Sequence, residues 1–153
     1  MKTLITPKEV IEIAFPENSN INEESISYMN IHIAERKHLI AAFGNELYDA
    51  LYENRYAQFV QKFIKPALAY YVKCEIMPAL AISMSNSGIA LTNPQYMTTA
   101  TDKQRQLLYD SEMTKAGVLL AEAVEYILAN PKEFPMYKSL QANKQTIRKP
   151  FIL

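Results

Sequence analysis

The chain has 153 residues, of which 49% are hydrophobic, and its 16 Lys and Arg residues balance its 16 Asp and Glu residues. This length and apolar content are typical of one domain with a packed core, and they exclude a globally disordered chain. The zero net charge supplies no overall basic field, so any nucleic-acid binding would need a local basic patch. The single cysteine, Cys74, excludes a disulfide framework within the chain and favours a reducing compartment.

The amino-terminal segment MKTLITPKEV lacks the long apolar stretch of a secretion signal. No window reaches the roughly 18 uninterrupted apolar residues that cross a bilayer. We therefore expect a soluble, single-domain protein that is made inside the cell and does not enter a membrane.

The first helix is predicted in TPKEVIEIAF. Thr6 suits the N-cap, Pro7 suits the first helical position, and Glu9 completes a capping box. Pro16 should end the helix. A second, longer helix is predicted from about Asn22, as its N-cap, to Phe43.

Gly44 stands where a glycine commonly ends a helix, and NELYDALYE after it predicts a short third helix. The run YAQFVQKFIKPALAYYVKCEIMPALAI predicts a long helix in which Pro66 and Pro78 each either kink the helix or mark a boundary. Its helical spacing predicts a buried face formed by Phe59, Phe63, Ala67, Tyr70 and Cys74.

The last long helix is predicted to run to Asn130, with Thr101 or Asp102 as its cap and Pro131 as its stop. Its apolar residues recur at helical spacing over a wide stripe. That stripe comprises Leu108, Ala116, Leu119, Leu120, Ala123, Ile127 and Leu128.

The segment ALAISMSNSGIALTN, residues 79–93, departs from this helical pattern. The pairs Ile82-Met84 and Ile89-Leu91 flank a polar centre in which Asn86 and Gly88 tolerate positive φ. We predict a small β-hairpin near 82–92. It would pack on its own domain or reach to another subunit, because an isolated hairpin is marginal in water.

Residues 138–153 show no amphipathic period and are predicted to form an extended tail after a single helical domain at 1–137. Lys144, Arg148 and Lys149 make this tail modestly basic, which suits either phosphate contacts or solubility. The fold predicted from the whole chain is mainly all-α, a bundle of four to five helices with the hairpin insertion and the tail.

His32, Glu35 and His38 form an H-x-x-E-x-x-H pattern, in which Glu35-x-x-His38 has the spacing used by di-iron helix bundles. Such sites need a second pair of this kind, and the chain has no further histidine. The two histidines are also six residues apart and do not share a helix face. We predict solvated or partly buried histidines and no metal or other cofactor.

Nucleophilic and acid–base catalysis have equally little support. Cys74 lies in an apolar stripe, where a cysteine usually serves as a small buried hydrophobe. Glu122 and Glu125 could be described as paired carboxylates, but their position predicts a solvated helix face. No phosphate-binding loop, nucleophile elbow or zinc-spaced set is present. The sequence therefore predicts a protein that is not an enzyme.

Ten tyrosines and no tryptophan are present, and five tyrosines concentrate in the middle of the chain. Tyrosine is enriched at protein interfaces because its ring is apolar and its hydroxyl can stay wet. Core packing explains such residues equally well, so both interpretations stay open. The five are Tyr48, Tyr52, Tyr56, Tyr70 and Tyr71.

Three stretches together resemble a known family: AERKHLIAAFGNELYDAL (34–51), KPALAYYVKCEIMPALAISMSNSGIALT (65–92) and EYILANPKEFPMY (125–137). They are similar to small helical proteins of phages and prophages of the Bacteroides group, which are themselves similar to head–tail connector (adaptor) proteins of tailed phages. The most specific parts are G-x-x-L-Y at 44–48, MSNSGI, and NP-x-x-FP-x-Y at 130–137.

The resemblance implies a structural virion protein that forms a homo-oligomeric ring between the portal and the tail-completion proteins. DNA would pass through the lumen without sequence-specific binding, and no catalytic residue is carried over. The protein would reside in the host cytoplasm during assembly and then in the neck of the virion. The expected contact residues are Met84, Asn86, Gly88, Ile89, Leu91, Tyr137, Arg148 and Phe151.

Two alternatives to the ring protein stay open. The first is a free-standing helical protein- or DNA-binding regulator, which predicts a defined small oligomer with a specific protein or DNA ligand and would be favoured by a basic groove. The second is an enzyme that binds a metal through His32, Glu35 and His38.

Overall fold

The computed structural model describes residues 1–17, 19–86 and 102–137, with the backbone alone for 81–86. These residues are mainly helical and include no strand, which confirms the predicted all-α character. The central element is the long helix that ends at Asn86, because helices from both sides pack against it.

Helix α1 spans Pro7–Ala14 and begins at the predicted capping box. The Glu9 backbone N–H donates to Thr6 Oγ1 at 3.3 Å, and the Thr6 backbone N–H donates to Glu9 Oε2 at 2.9 Å. The same glutamate accepts a hydrogen bond from Lys65 Nζ at 2.5 Å. One side chain therefore caps α1 and also ties it to the central helix.

Helix α2 has three parts: an α-helix at Tyr28–Ala34, a π-helical turn at Glu35–Leu39 and an α-helix at Ile40–Phe43. Its N-cap is Ser27, whose Oγ accepts the Asn30 N–H at 3.1 Å, so the prediction of Asn22 as the cap was wrong. Asn22 instead precedes a short 3₁₀ turn, Glu23–Ser25. Ile26 then adopts an extended conformation with its side chain 2% exposed, which delays the start of the helix.

Gly44 ends α2 with φ 82° and ψ 168°, a backbone conformation that is almost confined to glycine. The chain thereby turns directly into α3, Asn45–Ala50, the predicted short helix. A 3₁₀ turn, Asn54–Tyr56, leads to the next helix.

Helix α4 begins as an α-helix at Ala57–Phe59, passes through a π-helical turn at Val60–Ile64 and continues as an α-helix over Lys65–Asn86. Pro66 follows the π turn. Proline lacks an N–H and its ring clashes with the carbonyl four residues earlier, so a locally widened turn accommodates it. The helix also continues through Pro78, and neither proline is a helix boundary.

Because α4 is helical to Asn86, the prediction of a first hairpin strand at Ile82–Met84 was wrong. A helix already nucleated from Lys65 extends at little cost through Ala81 and Met84, both good helix formers. The second predicted strand, at 89–91, lies outside the described residues.

Helix α5 spans Asp102–Ala129 and packs along α4 in the antiparallel direction, with Lys73 near Glu112 and Phe63 against Tyr126. Its predicted apolar stripe is only partly internal. Ala116, Ala123 and Ile127 are buried, whereas Leu108 and Leu128 are 52% and 49% exposed. The core receives its largest fully buried side chains from all parts of the described chain: Ile5, Ile31, Leu39, Phe43, Leu47, Ile64, Leu68, Ile76, Ile127 and Phe134.

The segment after α5 turns back onto the aromatic end of the core. The Tyr56 hydroxyl donates to the Glu133 carbonyl at 2.6 Å, and the Tyr56 ring stacks on Phe134 at 5.1 Å between centroids. Tyr137 is 5% exposed and belongs to the same core. The predicted tail, 138–153, lies outside the described residues.

We expect Gly44→Ala to lower the free energy of unfolding by about 1–3 kcal/mol, because alanine cannot adopt the Gly44 backbone conformation without strain. Gly117→Ala is the matched control. It lies inside α5 with open space where a Cβ would stand, so helix propensity should stabilise it by about 1 kcal/mol. Urea unfolding of both variants measures the two effects, and equal responses would contradict the assigned role of Gly44.

Candidate functional site

Glu35 is a fully buried glutamate at the start of the π-helical turn of α2. Its carboxylate accepts hydrogen bonds from the Leu4 backbone N–H at 2.6 Å, the Tyr48 hydroxyl at 2.7 Å and the Tyr52 hydroxyl at 3.1 Å. A buried carboxylate is tolerated only when it is hydrogen-bonded in this way. The three donors connect the amino-terminal segment, α2 and α3 through one side chain.

The two tyrosines act as hydrogen-bond donors at neutral pH. Burial, which is the largest cause, and the hydrogen bond to Glu35 together raise the pKa of Tyr48 to about 12, against the opposing effect of the hydrogen bond to Tyr52. Burial also raises the pKa of Tyr52, with the hydrogen bond to Tyr48 adding to the effect. Both hydroxyls therefore keep their protons and hold the carboxylate.

Among the described residues, neither histidine of the H-x-x-E-x-x-H pattern forms a hydrogen bond or ion pair with Glu35, whose partners are Leu4, Tyr48 and Tyr52. The His38 ring stacks on Tyr71, with 3.8 Å between centroids and an angle of 14°. Burial lowers the pKa of His38, and the neighbouring Lys37 charge lowers it further. Across the residues that the structure describes, no group of three His, Cys, Asp or Glu side chains is arranged to hold a metal.

Cys74 is 3% exposed on the inner face of α4, as predicted for a small buried hydrophobe. Burial, which is the largest cause, and the nearby Glu112 charge together raise the pKa of its thiol to about 11. The thiol therefore stays protonated at neutral pH and is a poor nucleophile.

Glu112 is a second buried carboxylate, 3% exposed, which the sequence analysis missed. Lys115 Nζ donates to its Oε1 at 3.1 Å, and Lys73 Nζ lies 3.4 Å from its Oε2, an ion pair without hydrogen-bond geometry. Lys73 Nζ also donates to the Ala14 carbonyl at 3.0 Å. The pair joins α1, α4 and α5. Glu112 lies four residues before the buried Ala116, so helical spacing places both residues on the inner side of α5, and this spacing could have identified Glu112 in the sequence.

The tyrosines belong mainly to the core and not to a surface. Tyr48, Tyr56 and Tyr71 are buried, whereas Tyr52 and Tyr70 are half-buried. Core packing and the hydrogen bonds to Glu35 and Glu133 account for most of this group.

Exposed apolar side chains lie on two different helices. On α2, Met29 and Ile33 are 51% and 40% exposed and align with the exposed Arg36. We call Met29, Ile33 and Arg36 the α2 face. Tyr28, 47% exposed, lies at its edge. Large exposed apolar groups that cluster on one helix face indicate an interaction surface.

The outer side of α5 carries the second surface, in which exposed residues recur at alternating spacings of four and three. Leu107 and Val118 in this row are 60% and 55% exposed. This row was not predicted from the sequence: of its apolar residues, only Leu128 was named, as part of the wide stripe of α5. We call the row the α5 face: Leu107, Ser111, Thr114, Val118, Ala121, Glu125 and Leu128.

Glu125 lies in the α5 face, with Glu122 beside it, and both are exposed as predicted. Within the described part of the chain, no ion pair reaches Arg36, Glu122 or Glu125. The α2 face therefore consists of two apolar residues with the cation Arg36 at one end, whereas the α5 face combines apolar residues with Ser111 and Thr114 and carries the anion Glu125 near its carboxyl-terminal end.

A groove of about 690 Å³ lies between the end of α1 and the facing parts of α4 and α5. Two cations border it, and both have carboxylate partners: Lys73 with Glu112 at 3.4 Å, and Arg105 with Asp102 at 2.8 Å. The groove is therefore mainly apolar. Its apolar lining consists of Phe15, Met77, Pro78, Leu80, Leu108 and Tyr109.

A family model matches residues 27–147, from just before α2 to beyond Tyr137. The chain belongs to the DUF6712 family, a family of unknown function. No curated protein and no solved structure matches the chain. In the part of the chain that the structure describes, no helix is long and apolar enough to cross a membrane. The DUF6712 match includes Glu35, Glu112 and both helix faces, whereas α1 and Leu4 precede it.

The residues predicted to form contacts have different locations in this DUF6712 chain. Met84 and Asn86 are in the last turns of α4, and Tyr137 is buried in the core and does not form part of the surface. The remaining five predicted residues lie outside the described ranges: Gly88, Ile89, Leu91, Arg148 and Phe151.

We expect Tyr48→Phe to lower the free energy of unfolding at neutral pH by about 1–3 kcal/mol, because Glu35 stays buried with one donor fewer. The wild type should lose stability between pH 10 and about 12, where the unfolded tyrosine releases its proton and the folded Tyr48 retains it. The variant should lose less over that window. Urea unfolding across pH measures both effects. Tyr28→Phe, at an exposed site, is the control, and an equal response of the two variants would contradict the assignment.

We expect Cys74 to be unreactive toward a thiol reagent at pH 8 in the folded protein and fully reactive in denaturant, because its thiol is buried and protonated. Reaction with an aromatic disulfide, followed by absorbance, measures this directly. Rapid labelling of the folded chain would contradict the buried position of the thiol.

Proposed function

We propose that this DUF6712 chain is a structural subunit of the head–tail connector type, which assembles with copies of itself into a closed ring between portal and tail proteins. Two observations support the proposal. The stretches 34–51, 65–92 and 125–137 resemble connector-like phage proteins, and the described surface has two unlike apolar helix faces.

The two faces carry most of the argument. A ring forms through head-to-tail contacts, in which each subunit presents two different complementary surfaces. The α2 face and the α5 face lie on different helices and differ in composition and charge. A protein that binds a single small ligand has no need of two such surfaces.

The buried carboxylates provide the rigidity that a ring wall requires. Glu35 lies in α2 itself and fixes that helix to α3 and the amino terminus, while Glu112 lies in α5 and fixes it to α4 through Lys73. Removing one partner from a buried charged network is strongly destabilising, so each helix is held in one position.

In this proposal the bundle of four to five helices forms the wall of the ring and has no enzymatic role. The contacts to the portal and the tail would come from residues 82–92 and 138–153, and DNA would pass through the lumen. A basic groove would favour the alternative, a free-standing regulator, but the cations that border the described apolar groove are already paired with carboxylates. This observation favours the connector.

The oligomeric state tests the proposal. We expect native mass spectrometry and negative-stain imaging to show closed rings of one copy number, either with the full chain alone or after mixing with the portal protein encoded nearby. The gene should lie among portal, capsid and tail genes. A chain that stays monomeric under both conditions, or a gene outside such a neighbourhood, would contradict the proposal.

A further inference from the structure

We propose that the α2 face of one subunit binds the α5 face of the next, in parallel register, and that Arg36 pairs with Glu125 across this contact. The inference rests on the proposed ring function and identifies the second copy of this chain as the partner. Its evidence is the spacing, size and charge of the side chains on the two faces.

The spacings match. On the α2 face, Met29, Ile33 and Arg36 are separated by four and then three residues. On the α5 face, Val118, Ala121 and Glu125 are separated by three and then four. Both series span seven residues, which is about 10 Å of helix. Such staggered series let side chains of one helix enter gaps in the other.

The sizes match in the same register. Aligning Met29 with Val118 places Ile33 opposite the small Ala121, so a large side chain meets a small one. All four are apolar, and Met29, Ile33 and Val118 are 51%, 40% and 55% exposed in the single chain. Covering them would remove apolar surface from water, which is the main favourable contribution to association.

The charged residues favour one relative direction of the two helices. In the parallel register Arg36 reaches Glu125, with Glu122 one residue from the Ile33–Ala121 contact. Reversing one helix would place Arg36 beside Val118 and Met29 beside Glu125, leaving both charges against apolar groups. Unpaired charges at a contact are costly, so the parallel alignment is favoured. Arginine and methionine are also residue types enriched at interfaces.

One chain cannot make this contact with itself. Both helices pack against α4, and the two faces are the sides left exposed by that packing. The contact therefore joins different copies. Because its two sides are unlike, a dimer retains one free α2 face and one free α5 face, so further copies can add, and the series closes as a ring when the rotation between copies closes.

Cysteine crosslinking tests the contact in the full chain. We expect Ile33→Cys mixed with Ala121→Cys to give a crosslinked dimer on mild oxidation, and the double variant to give a ladder of higher species. Cys74 is buried and should stay silent. Gln61→Cys mixed with Ala121→Cys is the control, since Gln61 is exposed outside both faces.

Each outcome of the crosslinking experiment either supports or overturns the proposed contact between the α2 face and the α5 face. A dimer from Ala121→Cys alone would indicate a two-fold contact of α5 with itself and overturn the inference. Absence of the mixed crosslink would overturn it as well. If wild-type rings are nevertheless seen by native mass spectrometry, the ring function stands and only this contact is wrong.

Charge reversal tests the pairing of Arg36 with Glu125. We expect Arg36→Glu to weaken self-association about tenfold, because it places like charges together. Adding Glu125→Arg should recover most of the affinity. Lys8→Glu, an exposed reversal on α1, is the control and should have a small effect. If the double variant associates no better than Arg36→Glu alone, the pairing is wrong.

Discussion

The buried carboxylate of Glu35 is the constraint around which the described structure is arranged. Moving a carboxylate out of water is costly, and here three donors from distant parts of the chain offset that cost. The amino-terminal segment positions the Leu4 N–H beside Glu35. The turn at Gly44 directs α3 back toward α2, so that the hydroxyls of Tyr48 and Tyr52 reach the same carboxylate. Satisfying this one side chain brings the amino-terminal segment, α2, α3 and the turn after α3 together.

The consequence for function is a fixed surface. With Glu35 anchoring α2 and the Lys73–Glu112 pair anchoring α5 to α4, the outward sides of the two helices are held in place by buried polar contacts. No other part of the described chain covers the exposed apolar residues of these two faces. Two unlike, rigidly held apolar faces are what a head-to-tail assembly requires, and this is why the connector is the proposed function.

Local signals predicted much of the fold. The capping box at Thr6 and Glu9, the glycine at 44 and the helical spacing of α4 depend on near neighbours in sequence. The predicted first strand of the hairpin was wrong because the alternation at Ile82 and Met84 indicates a strand only if helix α4 has already ended. Glu35 was considered only as a metal ligand, since its tyrosine donors are 13 and 17 residues away. The α5 face was missed because Leu107, Val118 and Ala121 were left out of the predicted stripe, and only Leu128 of its apolar residues was included.

Hydrogen–deuterium exchange at low and high protein concentration tests the central claim most directly. The account predicts that α2 peptides spanning residues 28–36 and α5 peptides spanning residues 118–128 both become slower to exchange as the protein assembles. The Leu4 amide, bonded to Glu35, should be protected at every concentration. Added protection confined to α5, or absent from both helices, would contradict the head-to-tail contact.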